Sequence, residues 1–285
     1  MLPVGARIAV VSPSGIYDPV RLEAGLDVIR GWGYRPELLP GVGRRHRYLA
    51  GTDAVRLADL ERALRGGWDA VWVARGGYGL SRLLGQLPWD ELGAAPFIGF
   101  SDASGLLNAL AARGRPAVHG PVLNSLADLC DAPSREHLRA LLAGEPLAPL
   151  HGEVVHKGSV EGPMVGGNLC VLASLCGTPW QLRARACVLM LEETNEAPYK
   201  IDRLLTQLLD SGCLDGVAGV VFGTMLGAAP AEGADWTMND VIHDLLAPLG
   251  VPVLTGLPIG HGPENRAFRV GGHVRLAGNR LEFCE

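Results

Sequence analysis

Pro96-Phe97-Ile98-Gly99-Phe100-Ser101-Asp102-Ala103-Ser104-Gly105-Leu106-Leu107 is the stretch on which the fold reading turns. Apolar side chains at successive rather than alternating positions mark 96–100 as a strand buried on both faces, broken at Ser101-Asp102, and 103–113 reads as helix. A buried strand that runs directly into a helix is the repeating unit of a parallel sheet. The same alternation extends toward the N-terminus, where 8–11 reads as strand, 19–32 as helix, 36–39 as a second short strand and 53–65 as a helix with Thr52 or Asp53 as its N-cap. Ala70-Val71-Trp72-Val73-Ala74 is another doubly buried strand, and it ends in the turn Arg75-Gly76-Gly77-Tyr78-Gly79 before a helix carrying Leu83 and Leu84. Several strand ends therefore meet small-residue loops, where open α/β sheets bind ligands.

Downstream, the rhythm lapses over 121–162 into a helix near 133–142 and a stretch punctuated by Gly144, Pro146, Pro149 and Gly152. It resumes with a helix over 167–175, a strand over 187–191, a helix over 198–209, a strand over 217–222, a helix over 238–246 and a β-rich end from 251. The expected fold is α/β. A Rossmann- or flavodoxin-like parallel-sheet domain spans 1–122, a connector 123–162, and a smaller C-terminal α/β domain with a β-rich end 163–285. No internal repeat is visible.

Bulk properties exclude several classes of protein. A chain of 285 residues with 48% hydrophobic content buries a packed core, and its 39 glycines suit tight strand-to-helix turns. A net charge of -5 argues against nucleic-acid binding, which needs clustered cations to displace counterions. The richest basic run, Arg44-Arg45-His46-Arg47, reads as a solvated loop, with a phosphate or substrate patch as the alternative. Six cysteines with no CxxC pair lie mostly in apolar runs and read as buried reduced thiols, so neither a disulfide framework nor a metal site is expected. With no signal-like N-terminus and no apolar run near membrane-spanning length, the expectation is a cytoplasmic protein without membrane partners.

The chemistry-bearing residues fall at strand ends. Ser101 stands between a buried strand and a helix, the setting of a nucleophile elbow, although Ala103 replaces the second glycine of GxSxG and Ser-Asp is also a good helix cap. A serine nucleophile needs a base and a carboxylate to hold that base. His261, in Gly260-His261-Gly262 after the strand-like 251–259, is the histidine best placed by pattern, and a turn histidine is the alternative; His119 is the other strand-end histidine. Glu192, Glu193 and Glu196 follow the apolar strand Cys187-Val188-Leu189-Met190-Leu191. A carboxylate there needs a partner, either a histidine or Lys200 or Arg203 on the next helix. The glycine-rich Arg75 loop suits an oxyanion hole better than a phosphate cradle, since it is neither GxGxxG nor GxxxxGK[ST].

Together, Val10-Val11-Ser12-Pro13-Ser14-Gly15, the Arg75 loop, Gly99-Phe100-Ser101-Asp102, His119-Gly120-Pro121, Gly166-Gly167-Asn168, Gly177-Thr178-Pro179-Trp180, Leu191-Glu192-Glu193, Pro198-Tyr199-Lys200-Ile201-Asp202-Arg203 and Gly260-His261 resemble the LD-carboxypeptidase family, which includes the microcin-immunity peptidases. The resemblance implies two domains and a catalytic triad of Ser101, Glu192 and His261. It also implies an oxyanion hole from the amides of Asp102 and Gly77, with Asn168 near the substrate. Arg75 and Arg203 are candidates for binding a terminal carboxylate, or else structural ion-pair partners. The implied substrate is murein tetrapeptide, cut between the L-centre of a diamino acid and terminal D-alanine during cytoplasmic cell-wall recycling. Neither a metal nor an organic cofactor is implied, and a homodimer is. The nearest alternative is an immunity-type peptidase that cleaves peptidyl or aminoacyl nucleotide conjugates. Glu193 stands where the family pattern has an aspartate, and Gly262-Pro263-Glu264 alters the loop after His261.

Overall fold

The parallel strands of the first half form where the sequence is apolar at consecutive positions, and the helices between them start on side-chain caps. In chain order these elements are β1 (Arg7–Val11), α1 (Pro19–Gly31), β2 (Arg35–Leu38), α2 (Asp53–Arg65), β3 (Ala70–Val73), β4 (Phe97–Gly99), α3 (Ser104–Ala111), β5 (Ala117–His119), α4 (Leu123–Leu126) and α5 (Ala132–Ala143). The second half contributes β6 (Leu150–His151), β7 (Glu153–His156), β8 (Ser159–Asn168), α6 (Leu169–Ser174), β9 (Val188–Thr194), α7 (Pro198–Asp210), β10 (Gly219–Leu226), α8 (Met238–Leu246) and β11 (Val253–Thr255). The chain ends with β12 (Phe268–Arg269), β13 (His273–Ala277) and β14 (Arg280–Phe283). The computed structural model describes residues 1–284. They divide into two units: Met1–Pro146 with Arg266–Arg269, and Leu147–Asn265 with the chain from Val270 onward.

Unit 1 carries a sheet in the order β12-β5-β4-β3-β1-β2, parallel throughout except for β12, which pairs antiparallel with β5. The order 2-1-3-4-5 of its parallel strands is the flavodoxin-like doubly wound arrangement, as expected. Asp18 caps α1 by accepting from the amides of Val20 and Arg21, and Pro19 occupies the first turn. The helix then buries Leu22, Gly25, Leu26 and Ile29, a stripe at helical spacing. Thr52, rather than Asp53, caps α2. Leu83 is the turn residue between two short 3-10 segments (Leu80–Arg82 and Leu84–Gln86) and Leu84 opens the second, in place of a full helix. Pro88 and Gly93 punctuate the chain close behind, which leaves no run long enough to propagate one.

Unit 2 holds a mixed sheet in the order β6-β14-β13-β8-β9-β10-β11-β7, with β8, β9, β10 and β11 parallel and the outer pairs antiparallel. Leucines of α6 and α7 pack with Leu189, Leu191, Val220, Phe222 and Ile242 into its core. The expected helix over 167–175 begins later, at Leu169, because Gly166 and Gly167 continue β8. At Gly166 the strands approach so closely that a Cβ would lie 1.9 Å from the carbonyl oxygen of Met190, so only glycine fits. No helix among the described residues is long and apolar enough to cross a membrane.

Candidate active site

In unit 1, β4 delivers Phe100 in an extended conformation and the chain then turns at Ser101, whose φ is 61°. A left-handed backbone at a non-glycine residue costs energy, and at a strand-to-helix corner it is the geometry that presents a serine hydroxyl beyond the sheet. A 3-10 turn over Ser101–Ala103 leads into α3, and the Ser104 hydroxyl donates to the Ser101 carbonyl at 2.7 Å. The Arg75 loop packs directly on this corner. A Cβ on Gly76 would stand 3.0 Å from Ser101 Cβ and 3.1 Å from its Oγ, whereas Gly77 (φ 106°) faces Gly15. The Gly15 amide donates to the Gly76 carbonyl at 3.0 Å.

The side chain of Asp102 is 3% exposed and accepts from the Leu80 amide at 2.9 Å, tying the serine turn to the end of the glycine loop. Burial raises its pKa, against the opposing pull of the Ser14 hydroxyl, the Leu80 and Gly79 amides and the Arg56 charge. Arg56 is a residue that the sequence pattern missed. It stands on the buried face of α2, 2% exposed, and donates to the carbonyls of Pro13 and Gly79 while pairing with Asp53 at 2.5 Å. It thus fastens the loops after β1 and β3 to one cation. The only signal in sequence is a cation on the helical face that also carries Asp59, Leu60, Ala63 and Leu64. The Arg75 guanidinium donates to the Ile16 carbonyl and keeps further N–H donors for other acceptors. His119, fully buried, stacks on Phe268 at 4.8 Å and meets Phe100 edge-on at 5.9 Å, so it packs beneath the serine corner as a core ring.

In unit 2, β9 carries two carboxylates in succession just before its last residue, Thr194, and Glu192 and Glu193 are 0% and 3% exposed. Neighbouring residues of a strand point to opposite faces, so the two find different partners. Glu193 accepts from the amides of Cys170 and Thr194 at 2.7 and 2.8 Å and from Asn168 Nδ2 at 3.2 Å. Its pKa is raised first by burial and also by the Glu192 charge, with those three donors opposing. Asn168, 4% exposed, also caps α6 by accepting from the Val171 amide at 3.0 Å.

Glu192 Oε2 accepts from His261 Nδ1 at 2.7 Å and from the His261 amide at 3.2 Å. A carboxylate only accepts, so Nδ1 bears the hydrogen and Nε2 carries the lone pair, the form a general base needs. The other carboxylate oxygen, Oε1, has no hydrogen-bond partner among the described residues. Lys200 pairs with Glu196 at 2.9 Å, so the helix cation nearest in sequence is not the partner of Glu192. Thr224 Oγ1 donates to the His261 carbonyl at 2.7 Å and Asn265 Oδ1 accepts from the Gly260 amide at 3.2 Å, fixing the histidine loop from both sides. Neither residue stands out in sequence, beyond Thr224 following the buried run 219–223 of β10.

Gly260 is the tightest point of this loop. At φ 124°, a Cβ would fall 2.6 Å from Thr224 Oγ1 and 2.8 Å from Glu192 Oε2. We expect Gly260→Ala to displace His261 from Glu192, with a loss of about 1–3 kcal/mol in stability from backbone strain and crowding, read as a lowered Tm, and with at least about a tenfold fall in kcat/KM.

The imidazole of His261 titrates above the ordinary histidine value of 6.5. Burial pulls it down, but the hydrogen bond and charge of Glu192, aided by the charge of Glu193, outweigh that pull. A raised folded-state pKa stabilises the protein fully below the unfolded histidine pKa, and that contribution is lost as pH rises through the folded value.

Models of the LD-carboxypeptidase N-terminal domain and C-terminal domain match residues 8–120 and 161–276. The murein tetrapeptide carboxypeptidase of Pseudomonas aeruginosa is 38% identical over 299 residues, covering 99% of this chain and 96% of its own length. The crystal structure of a muramoyltetrapeptide carboxypeptidase from Oxalobacter formigenes superposes with a TM-score of 0.86 at 28% identity, covering 96% of this chain and 97% of that one. MccF in complex with glutamyl sulfamoyl guanosine shares the fold, with a TM-score of 0.88 at 19% identity over 100% of this chain and 97% of its own. Fold and relatives together define a hydrolase of the carboxypeptidase class. The chain belongs to the LD-carboxypeptidase family.

Proposed function

We propose that this protein is a serine LD-carboxypeptidase that removes terminal D-alanine from murein tetrapeptide, with Ser101 as nucleophile, His261 as base and Glu192 as the carboxylate that orients and charges the base. The observation that carries the reading is the bond from His261 Nδ1 to the fully buried Glu192, which directs the basic Nε2 away from the carboxylate. The murein name of the Pseudomonas aeruginosa relative, matched along the whole chain, supports the substrate. A cytoplasmic location and a homodimer belong to the same proposal.

In the proposed cycle, Ser101 Oγ bonds to the carbonyl carbon at the L-centre of the diamino acid as its proton passes to His261 Nε2. The amides of Asp102 and Gly77 hold the resulting oxyanion, and one such donor contributes about 10²- to 10³-fold in rate. Collapse breaks the C–N bond, and the nitrogen of D-alanine leaves with the proton from Nε2. Water then loses a proton to Nε2 and attacks the acyl carbon, freeing the tripeptide and returning the proton to Ser101 Oγ. In this reading Arg75 binds the substrate's terminal carboxylate, and Asn168, which donates to Glu193, lies near the substrate.

The test is incubation of the purified protein with murein tetrapeptide and, separately, with an aminoacyl sulfamoyl adenylate. Release of D-alanine from the first supports the reading; cleavage of the second alone would replace it with an immunity-type peptidase. Since only neutral His261 accepts the serine proton, we expect the acid limb of the kcat/KM profile to fall above pH 6.5, the ordinary histidine value, and a pH series on tetrapeptide checks it.

A further inference from the structure

Two histidines of unit 2, 87 residues apart in sequence, meet where no catalytic role is proposed above. His156 Nε2 lies 2.9 Å from His243 Nδ1, with the rings edge to face at 75° and their centroids 4.7 Å apart. A bulge makes the meeting possible. Strand β7 runs antiparallel to β11 with His156 opposite Val253 and Val154 opposite Leu254, so Val155 is the extra residue. Neighbours on a regular strand point to opposite faces, but here Val155 packs against the core that holds Ile242 and Leu246 of α8, and His156 reaches His243 on the same helix. About one turn earlier on α8, Asn239 Nδ2 donates to Glu153 Oε2 at 3.1 Å, a second tie across the same seam. His243 is exposed and His156 half-buried, so the pair is open to ions from solvent.

With no ion bound, the two nitrogens share one hydrogen, one ring donating it and the other accepting. Their spacing also suits a metal ion. Two nitrogens each about 2.1 Å from a metal stand about 3.0 Å apart at a right angle and about 3.4 Å apart at the tetrahedral angle. The observed 2.9 Å is therefore the edge of a square-planar or octahedral sphere, whereas tetrahedral zinc would need β7 and α8 to part. On binding, the donating ring takes its other tautomer, so its hydrogen moves to the second ring nitrogen and no net proton is released. The Val251 carbonyl accepts from the His156 ring, the kind of outer contact that orients a ligating imidazole. Burial, and then the charge of His243, hold His156 below the ordinary histidine value, so its ring is neutral and able to ligate at neutral pH. Asp240, whose charge acts on His243, is engaged by the Thr237 cap. No group of three or more metal-binding side chains occurs among the described residues, and water completes the sphere.

We propose that His156 and His243 form a two-histidine site for a divalent late transition metal of right-angle geometry, which clamps β7 to α8. The probe is Ni²⁺, which takes that geometry and is not reduced by the free thiols of the chain. Calorimetric titration of the metal-free protein in a non-chelating buffer is expected to show about one Ni²⁺ per chain, bound more tightly than Zn²⁺, and excess Ni²⁺ should raise Tm. His243→Ala removes an exposed side chain and leaves Ile242 and Leu246 against the core, so circular dichroism should stay that of the parent. In His243→Ala and in His156→Ala, Ni²⁺ should bind at least about tenfold more weakly and the rise in Tm should vanish. A parent that binds no Ni²⁺, tighter binding of Zn²⁺ than of Ni²⁺, or a Ni²⁺ affinity that persists in His243→Ala would each overturn the site.

Discussion

Ser101→Ala is expected to lower D-alanine release from murein tetrapeptide by about 10⁴-fold or more, while circular dichroism and Tm stay close to those of the parent. The size follows from the chemistry: without Oγ there is no acyl intermediate, and the remaining rate is what the oxyanion donors and bound water supply. The conservation of fold follows from the position. Alanine keeps the Cβ that packs beside Gly76 and meets the same left-handed backbone, and the Ser104 hydroxyl bonds to the main-chain carbonyl of residue 101, not to its side chain. Steady-state kinetics beside a thermal melt separates loss of chemistry from loss of structure.

Glu192→Gln has the second-largest expected effect, and its form differs from a simple loss of the base. Oε2 accepts both the amide and Nδ1 of His261, so the amide oxygen of glutamine takes that position and preserves the tautomer. What disappears is the negative charge that offsets an imidazolium forming in a buried place. We expect a fall of about 10²- to 10³-fold in kcat, comparable with loss of one preorganised electrostatic group. The acid limb of the pH profile should move downward, because burial of His261 then acts with less opposition. The new NH₂ group would occupy the site of Oε1, which has no hydrogen-bond partner among the described residues, and an unsatisfied buried donor costs about 1–3 kcal/mol. An unshifted acid limb in this variant would show that Glu192 does not set the titration of the catalytic base.

Much of the architecture was legible from local pattern. Doubly buried strands such as Ala70–Val73 announce a parallel sheet, and the caps at Asp18 and Thr52 lie where side-chain oxygens precede amphipathic runs. The position of Glu192 at a buried strand end was equally readable, because a carboxylate after five apolar residues must find a partner. That its partner is His261 and not Lys200 was not readable, since it depends on the register of β9 against β10 and on the loop that returns at Gly260. Three further features left little trace in sequence for the same reason, their dependence on long-range contact. Arg266–Arg269 leaves unit 2 to add an antiparallel edge beside β5 through only two residues, too short a run for any periodicity. Gly166 and Gly167 look like helix-opening punctuation and instead let two strands approach. Arg56 acquires meaning only once the loops after β1 and β3 are seen to converge on its guanidinium.

If Ser101 is a nucleophile activated by a histidine that Glu192 holds, a serine-directed phosphonate traps it covalently, and intact mass with peptide mapping measures this most directly. The expected result is one adduct per chain on Ser101, none in Ser101→Ala, and much slower labelling in His261→Ala. Labelling elsewhere in the chain, or labelling of Ser101 at the same rate when His261 is removed, would contradict it.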